Sequence, residues 1–225
     1  VRDYNNLISA ITMPLRIMRL PISPAGYPVP WFVQFFEKGV PTDFGSGEPD
    51  FRVADARKLI RAIKESRCWI CGDMLGRNKT FTIGPMCAIN RVISEPPQHR
   101  ECSIFSAMAC PFLTKPRMRR NENDLPEQRV EAPGAPIKRN PGAVCVWTTR
   151  TFKPFKVQGG ILFSLGDPTE TLWFAEGRSA TRDEVLASID SGYPLLLDMA
   201  KREGHRAVEE LQHQRQQAML LLPAG

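Results

Sequence analysis

Apolar residues recur along the chain in short runs punctuated by proline and glycine, and their spacing predicts the elements. Residues 15–20 are apolar-rich and read as a first short strand, followed by a turn cluster over 21–26. Residues 29–36 form a second extended run, which Pro30 confines to an edge or a turn at its start. Leu59, Ile60 and Ile63 then repeat at helical spacing, with Arg57, Lys58, Arg61 and Lys64 on the other face, and predict a basic helix over 55–66. Residues 80–93 read as a hairpin whose strands flank Gly84-Pro85. Glu95-Pro96-Pro97 breaks that structure, and a short helix over 99–109 is ended by Pro111.

Residues 121–143 hold four prolines, two glycines and no aromatic side chain, the composition of a linker laid along a surface. Beyond it, 144–157 and 161–165 read as strands, and Asp167-Pro168-Thr169 turns the chain into another extended run at 171–174. Thr181, with Glu184 three residues later, makes a capping box that starts a helix running to about residue 189. Ser191-Gly192-Tyr193-Pro194 is expected to end that helix and open another over 195–221, bent or broken at Gly204. The fold class is therefore α+β: antiparallel strands, a zinc module and C-terminal helices. Four regions follow: N-terminal strands and a basic helix at 1–66, a metal module at 67–120, the linker, and strand pairs with helices at 144–225. Residues 1–12 are expected to be peripheral.

Composition narrows the class. A hydrophobic share of 42% and a charged share of 24% are ordinary for a globular chain. Twenty prolines in 225 residues exceed the average of roughly 5% and argue against a helical bundle. No apolar run approaches the length of a membrane span, and the first residues lack the core of a secretory signal, so a cytoplasmic setting is expected. The net charge of +6 is localised: residues 115–156 contain ten basic and four acidic side chains, which is the whole surplus. A basic strip of this kind suits a polyanion or an acidic protein surface.

The cysteines carry the strongest chemical signal. Four of six fall at Cys68, Cys71, Cys87 and Cys102, with Cys110 just beyond and His99 in the same stretch. In a reducing compartment, clustered thiols are metal ligands more often than disulfides. Cys68-Trp69-Ile70-Cys71-Gly72 is a knuckle: two thiols on a tight turn, with glycine where a strained backbone angle is needed. Twenty-seven residues on, His99 and Cys102 stand three apart, on one face of the expected helix. One structural Zn2+ held by Cys68, Cys71, His99 and Cys102 is the prediction. Cys87 and Cys145 read as core residues of strands, and Cys110 is rotated by about 80° from Cys102 at the usual helical pitch.

Knuckle, hairpin and ligand-bearing helix in that order over 67–112 resemble the treble-clef class of zinc modules. Cys68-Trp69-Ile70-Cys71-Gly72, Gly84-Pro85-Met86-Cys87-Ala88-Ile89-Asn90-Arg91 and Glu95-Pro96-Pro97-Gln98-His99 also resemble uncharacterised phage- or prophage-encoded proteins, which would place the chain in a host cytoplasm. The treble-clef resemblance brings in the HNH nucleases, whose hairpin carries a histidine base. Residues 81–93 contain no histidine, so a nuclease-like enzyme stands as the alternative. His99-Arg100-Glu101 fits the HxE of zinc deaminases, but their paired cysteines follow that motif, whereas here they precede it. A zinc-stabilised, non-catalytic binding protein is the leading expectation. Lys115, Arg117, Arg119 and Arg120 would face nucleic acid or an acidic protein.

Overall fold

Residues 11–126, 129, 132–134 and 138–224 are described in the computed structural model of the chain. Most of the peripheral segment expected at 1–12 thus lies outside the described residues. The run at 15–20 is not a strand. It holds a one-turn helix, α1 (Leu15–Met18), behind Pro14. Its apolar positions obey a spacing of three: Ile17 and Leu20 are buried, while Leu15 and Met18 face out. Three short strands follow, β1 (Val33–Glu37), β2 (Val40–Thr42) and β3 (Glu48–Ala54), in an antiparallel sheet of order β2-β1-β3. The basic helix is α2 (Ala56–Lys64), capped by the Asp55 carboxylate on the Arg57 N–H. Of the expected apolar positions Leu59 and Ile63 pack against the main core and Ile60 is exposed, while Lys58 and Ala62, four apart, are the buried positions.

The expected hairpin at 80–93 does not form. Strand β4 (Lys79–Ile83) is followed at Gly84-Pro85 by a helix, α3 (Pro85–Asn90), and then by β5 (Val92–Ile93). Proline at the first helical position is preorganised for a helix, so the pair that looked like a hairpin turn is a helix start. Cys87 consequently lies on a helix, not on a strand. Helix α4 (Arg100–Ala109) has His99 as its N-cap and ends at the extended Cys110, which leads into the single turn α5 (Pro111–Thr114).

The C-terminal region bears out the expected strands: β6 (Val144–Thr149), β7 (Phe152–Val157), β8 (Gly160–Leu165), β9 (Pro168–Ala175) and the short β10 (Arg178–Ser179). All pairings are antiparallel, in two further sheets of order β10-β9-β6-β4 and β5-β8-β7. The Thr181–Glu184 capping box is present and opens α6 (Arg182–Glu203). That helix continues through Pro194, where a break was expected, and ends only at Gly204 with φ +113°. Proline removes one helical hydrogen bond, but burial of Val185, Ile189 and Ala200 on either side holds the helix together. Helix α7 (His205–Met219) completes the fold.

Strand β6 is buried at every position because both of its faces are covered. Cys145 and Trp147 point into the main core with Phe81, Phe163, Trp173, Val185 and Ile189. Val144 and Val146, on the opposite face, meet Ala107 and the flanks of Ile104 and Met108 on α4. The other side of α4 presents Cys102, Phe105 and Ala109 to a separate cluster with Ile17, Leu20, Cys68 and Ile70. One amphipathic helix thus ties the sheet to the cysteine-rich segment. No helix among the described residues is long and apolar enough to cross a membrane.

Candidate metal centre

The knuckle is set by backbone hydrogen bonds within seven residues. The Cys68 N–H donates to the Asp73 carbonyl at 2.8 Å and the Gly72 N–H to the Cys68 carbonyl at 2.9 Å. The Arg67 guanidinium closes the turn on the Gly72 carbonyl at 2.9 Å. Gly72 sits at φ +78°, and a Cβ there would lie 2.7 Å from the Trp31 ring. Trp31 is itself tied to the knuckle through its N–H on the Ile70 carbonyl. Gly72→Ala should therefore cost the roughly 1–2 kcal/mol of a left-handed residue plus the displacement of an indole. Urea unfolding checks this: in a Trp31→Leu background the added loss should shrink toward the backbone cost alone.

The second ligand pair is delivered by β4. Gln98 is buried, exchanges both backbone hydrogen bonds with Thr80, and accepts from the Ser103 hydroxyl at 2.9 Å. The Trp69 N–H also reaches the Pro97 carbonyl. His99, the next residue, is thereby fixed above the knuckle, and Cys102 follows in the first turn of α4. The four candidate donor atoms of Cys68, Cys71, His99 and Cys102 all lie within 4.8 Å of one another, a set that could hold a metal ion. Cys68 and Cys102 are fully buried, and Cys71 nearly so.

The histidine tautomer follows from geometry. His99 Nε2 lies 3.1 Å from the Met74 carbonyl, which can only accept, so Nε2 carries the hydrogen. Nδ1 is then bare in the neutral ring and faces the Cys71 sulfur at 3.4 Å. A carbonyl partner on the remote nitrogen is what orients ligating imidazoles. Burial opposes ionising Cys68. The Cys102 and Cys71 thiols and the N–H groups of Cys71 and His99 outweigh that by converging on its sulfur, so its pKa falls well below that of a free thiol. Cys102 is pushed up by its hydrogen bonds to Cys68 and Cys71 and by burial. A cluster in which one sulfur is already stabilised as thiolate is suited to a cation. Three cysteines and one histidine fit a closed tetrahedral zinc site, where Zn–S bonds of about 2.3 Å imply sulfur–sulfur edges near 4 Å.

The surrounding charges come partly from places that spacing did not reveal. Arg16 on α1 bridges Asp73 at 2.9 Å and Glu101 at 3.1 Å, and Arg19 adds a second bond to Asp73 at 2.7 Å. These arginines pin the knuckle to the start of α4. No periodicity in the sequence marks them, because the link spans 57 and 85 positions. Arg100 turns away from the cluster to pair with Glu170 on β9.

The remaining thiols stand apart. Cys87, Cys110 and Cys145 are outside the four-residue cluster. Desolvation pushes the Cys87 thiol up to about 11 and raises those of Cys110 and Cys145 as well. His205 is exposed and pairs with Glu209 in α7. The basic strip leaves α5 as an extended segment lying beside residues 138–140, with the Arg120 N–H on the Lys138 carbonyl and the Asn140 N–H on the Met118 carbonyl. Lys115, Arg117 and Arg119 are exposed. Arg120 is half-buried, and its guanidinium donates to the Arg52 carbonyl at 2.9 Å. Comparison with protein-family models, curated proteins and solved structures gives no match to the chain.

Proposed function

We propose that the chain is a zinc-stabilised, non-catalytic binding protein that presents a basic surface to an anionic macromolecule, either nucleic acid or an acidic protein. Zn2+ bound by Cys68, Cys71, His99 and Cys102 would use all four donors and keep no position for water, which is the arrangement of a structural ion. The observation that carries this reading is the enclosure of three sulfurs in a cluster with Ile17, Leu20, Ile70 and Phe105. Chemistry on a substrate needs an accessible ion, whereas a folding role needs a buried one. The strip of Lys115, Arg117, Arg119 and Arg120 supplies the surface, and α4 followed by α5 links its start to the metal cluster.

A binding series over salt tests the surface. Because Arg120 is committed to the Arg52 carbonyl, the exposed Arg117 and Arg119 are the side chains to remove. Arg117→Gln with Arg119→Gln should flatten the log–log salt dependence on duplex DNA by about two units. Metal content and melting temperature should stay near the parent's. Unchanged affinity of the double variant at 50 mM salt, with the parent binding, would remove the strip from the reading.

A further inference from the structure

Just ahead of the strip in the chain, Phe112 and Leu113 line an apolar cavity of about 210 Å3. Its walls include Pro85, Met86, Phe112, Leu113 and Pro141, and among its polar lining residues Arg139 alone carries a charge. The cavity is smaller than the roughly 300–1,000 Å3 of small-molecule clefts and matches a single anchoring side chain better than a cofactor. Its wall continues into the strip, since Phe112 and Leu113 on α5 lead into Lys115.

The charge at the rim is arranged in a particular way. Arg119 and Arg139 are direct partners in an antiparallel bridge. The hydrogen bonds flank them, from the Arg120 N–H to the Lys138 carbonyl and from the Asn140 N–H to the Met118 carbonyl. They therefore form the close, non-hydrogen-bonded kind of pair, whose side chains leave the same face. Like charges directly opposite are unfavourable. Among the described residues Arg139 donates to neutral acceptors only, the Asn140 carbonyl at 3.0 Å and the Ser191 hydroxyl at 3.1 Å among them. Neither arginine meets a carboxylate among the described residues.

Resting on the reading of the chain as a binding protein, we infer that this cavity and its arginine pair dock an acidic peptide segment of a partner protein. An apolar side chain enters between Met86, Phe112 and Leu113, and flanking carboxylates meet Arg119 and Arg139. Arginine forks match carboxylates bidentately, and a buried anchor with a charged rim is the common anatomy of such interfaces. The occupant follows from the walls: their one charged residue, Arg139, is positive, their floor is apolar, and the floor has room for one side chain. A nucleic acid would use the arginines without needing the floor.

The test selects binders from a displayed random twelve-residue peptide library on the zinc-loaded full chain, then measures the enriched peptides by fluorescence polarisation. The expected peptides carry one apolar residue flanked by Asp or Glu. Replacing that residue by Ser should weaken binding at least tenfold, and Arg139→Gln or Arg119→Gln should do likewise. Arg119 is exposed, so its variant isolates the charge even if Arg139→Gln disturbs the fold. The Met86 methyl resonance should shift on titration. Enrichment of basic or charge-free sequences, equal binding of the Ser-substituted peptide, or an unmoved Met86 signal would each overturn the inference. So would an oligonucleotide that shifts Met86 and competes for the site. Duplex DNA run in parallel separates the two failures: DNA binding through Arg117 and Arg119 without peptide binding sinks the docking site and leaves the binding reading intact.

Discussion

Cys102→Ser, or removal of zinc with a strong chelator, should unfold the cysteine-rich cluster while the main core survives. Structural zinc in small modules is worth about 10–16 kcal/mol at neutral pH, comparable to the whole stability of a domain. Cys68, Cys71 and Cys102 sit in a cluster with Ile17, Leu20, Ile70 and Phe105, so the loss is concentrated there. The core around Phe81, Trp147, Phe163 and Trp173 contains none of the four candidate ligands. The four tryptophans divide accordingly. Trp69 stacks on Phe32 at 4.9 Å beside the knuckle, and Trp31 covers Gly72. Trp147 and Trp173 are buried in the core beyond. Loss of metal should therefore expose the first pair to water and leave the second buried, giving a red-shifted fluorescence of partial amplitude. Cys110→Ser, outside the cluster, should keep about one equivalent of zinc. Less than half an equivalent in protein purified without chelator, or a Cys102→Ser variant as stable as the parent, would refute the metal reading.

The clustering of Cys68, Cys71, His99 and Cys102 was readable from sequence because these side chains come in two close pairs, and local spacing alone places each pair on one turn. Cys68 with Cys71 and His99 with Cys102 needed only a knuckle and a helix start. What lay beyond reach depends on long-range contacts. β4 pairs with β6 along its full length, and this pairing, absent from any local pattern, replaces the expected hairpin and holds Gln98 so that His99 faces the knuckle. Arg16 and Arg19 reach Asp73 from an element that looked like a strand. The capping box at Thr181 was legible because its hydrogen bonds are local. The passage of α6 through Pro194 was not, because packing on both sides overrides a local breaker. Helix α2 shows the same contest. Its apolar pattern put Lys58 on the solvent face, but tertiary packing buries it.

That burial makes Lys58 the second site of large effect. Its ammonium donates to the Val33 carbonyl at 3.1 Å, lies 4.3 Å from the Phe44 ring centroid, and is 3.9 Å from the Asp55 carboxylate. Desolvation dominates over the attraction of Asp55 and lowers its pKa to about 8, with Arg57 and Arg61 adding repulsion. The unfolded chain keeps the proton up to about 10.5. Between those values the unfolded state binds more protons than the folded one, so stability rises with pH. Below about pH 8 the amine is charged in both states and the full penalty applies. Above about 10.5 it is neutral in both, and the dependence ends. The gain across the window is about 3 kcal/mol, because a tenfold change in proton affinity corresponds to roughly 1.4 kcal/mol. Lys58→Met leaves the Val33 carbonyl without its partner, a cost that does not vary with pH, but removes the titration. Urea unfolding of zinc-loaded protein from pH 7.5 to 10.5 should show the parent gaining stability relative to Lys58→Met as pH rises. Parallel curves for the two proteins would mean that the cation–π contact and Asp55 offset the burial in full, and that Lys58 is held as a stable cation beneath Phe44.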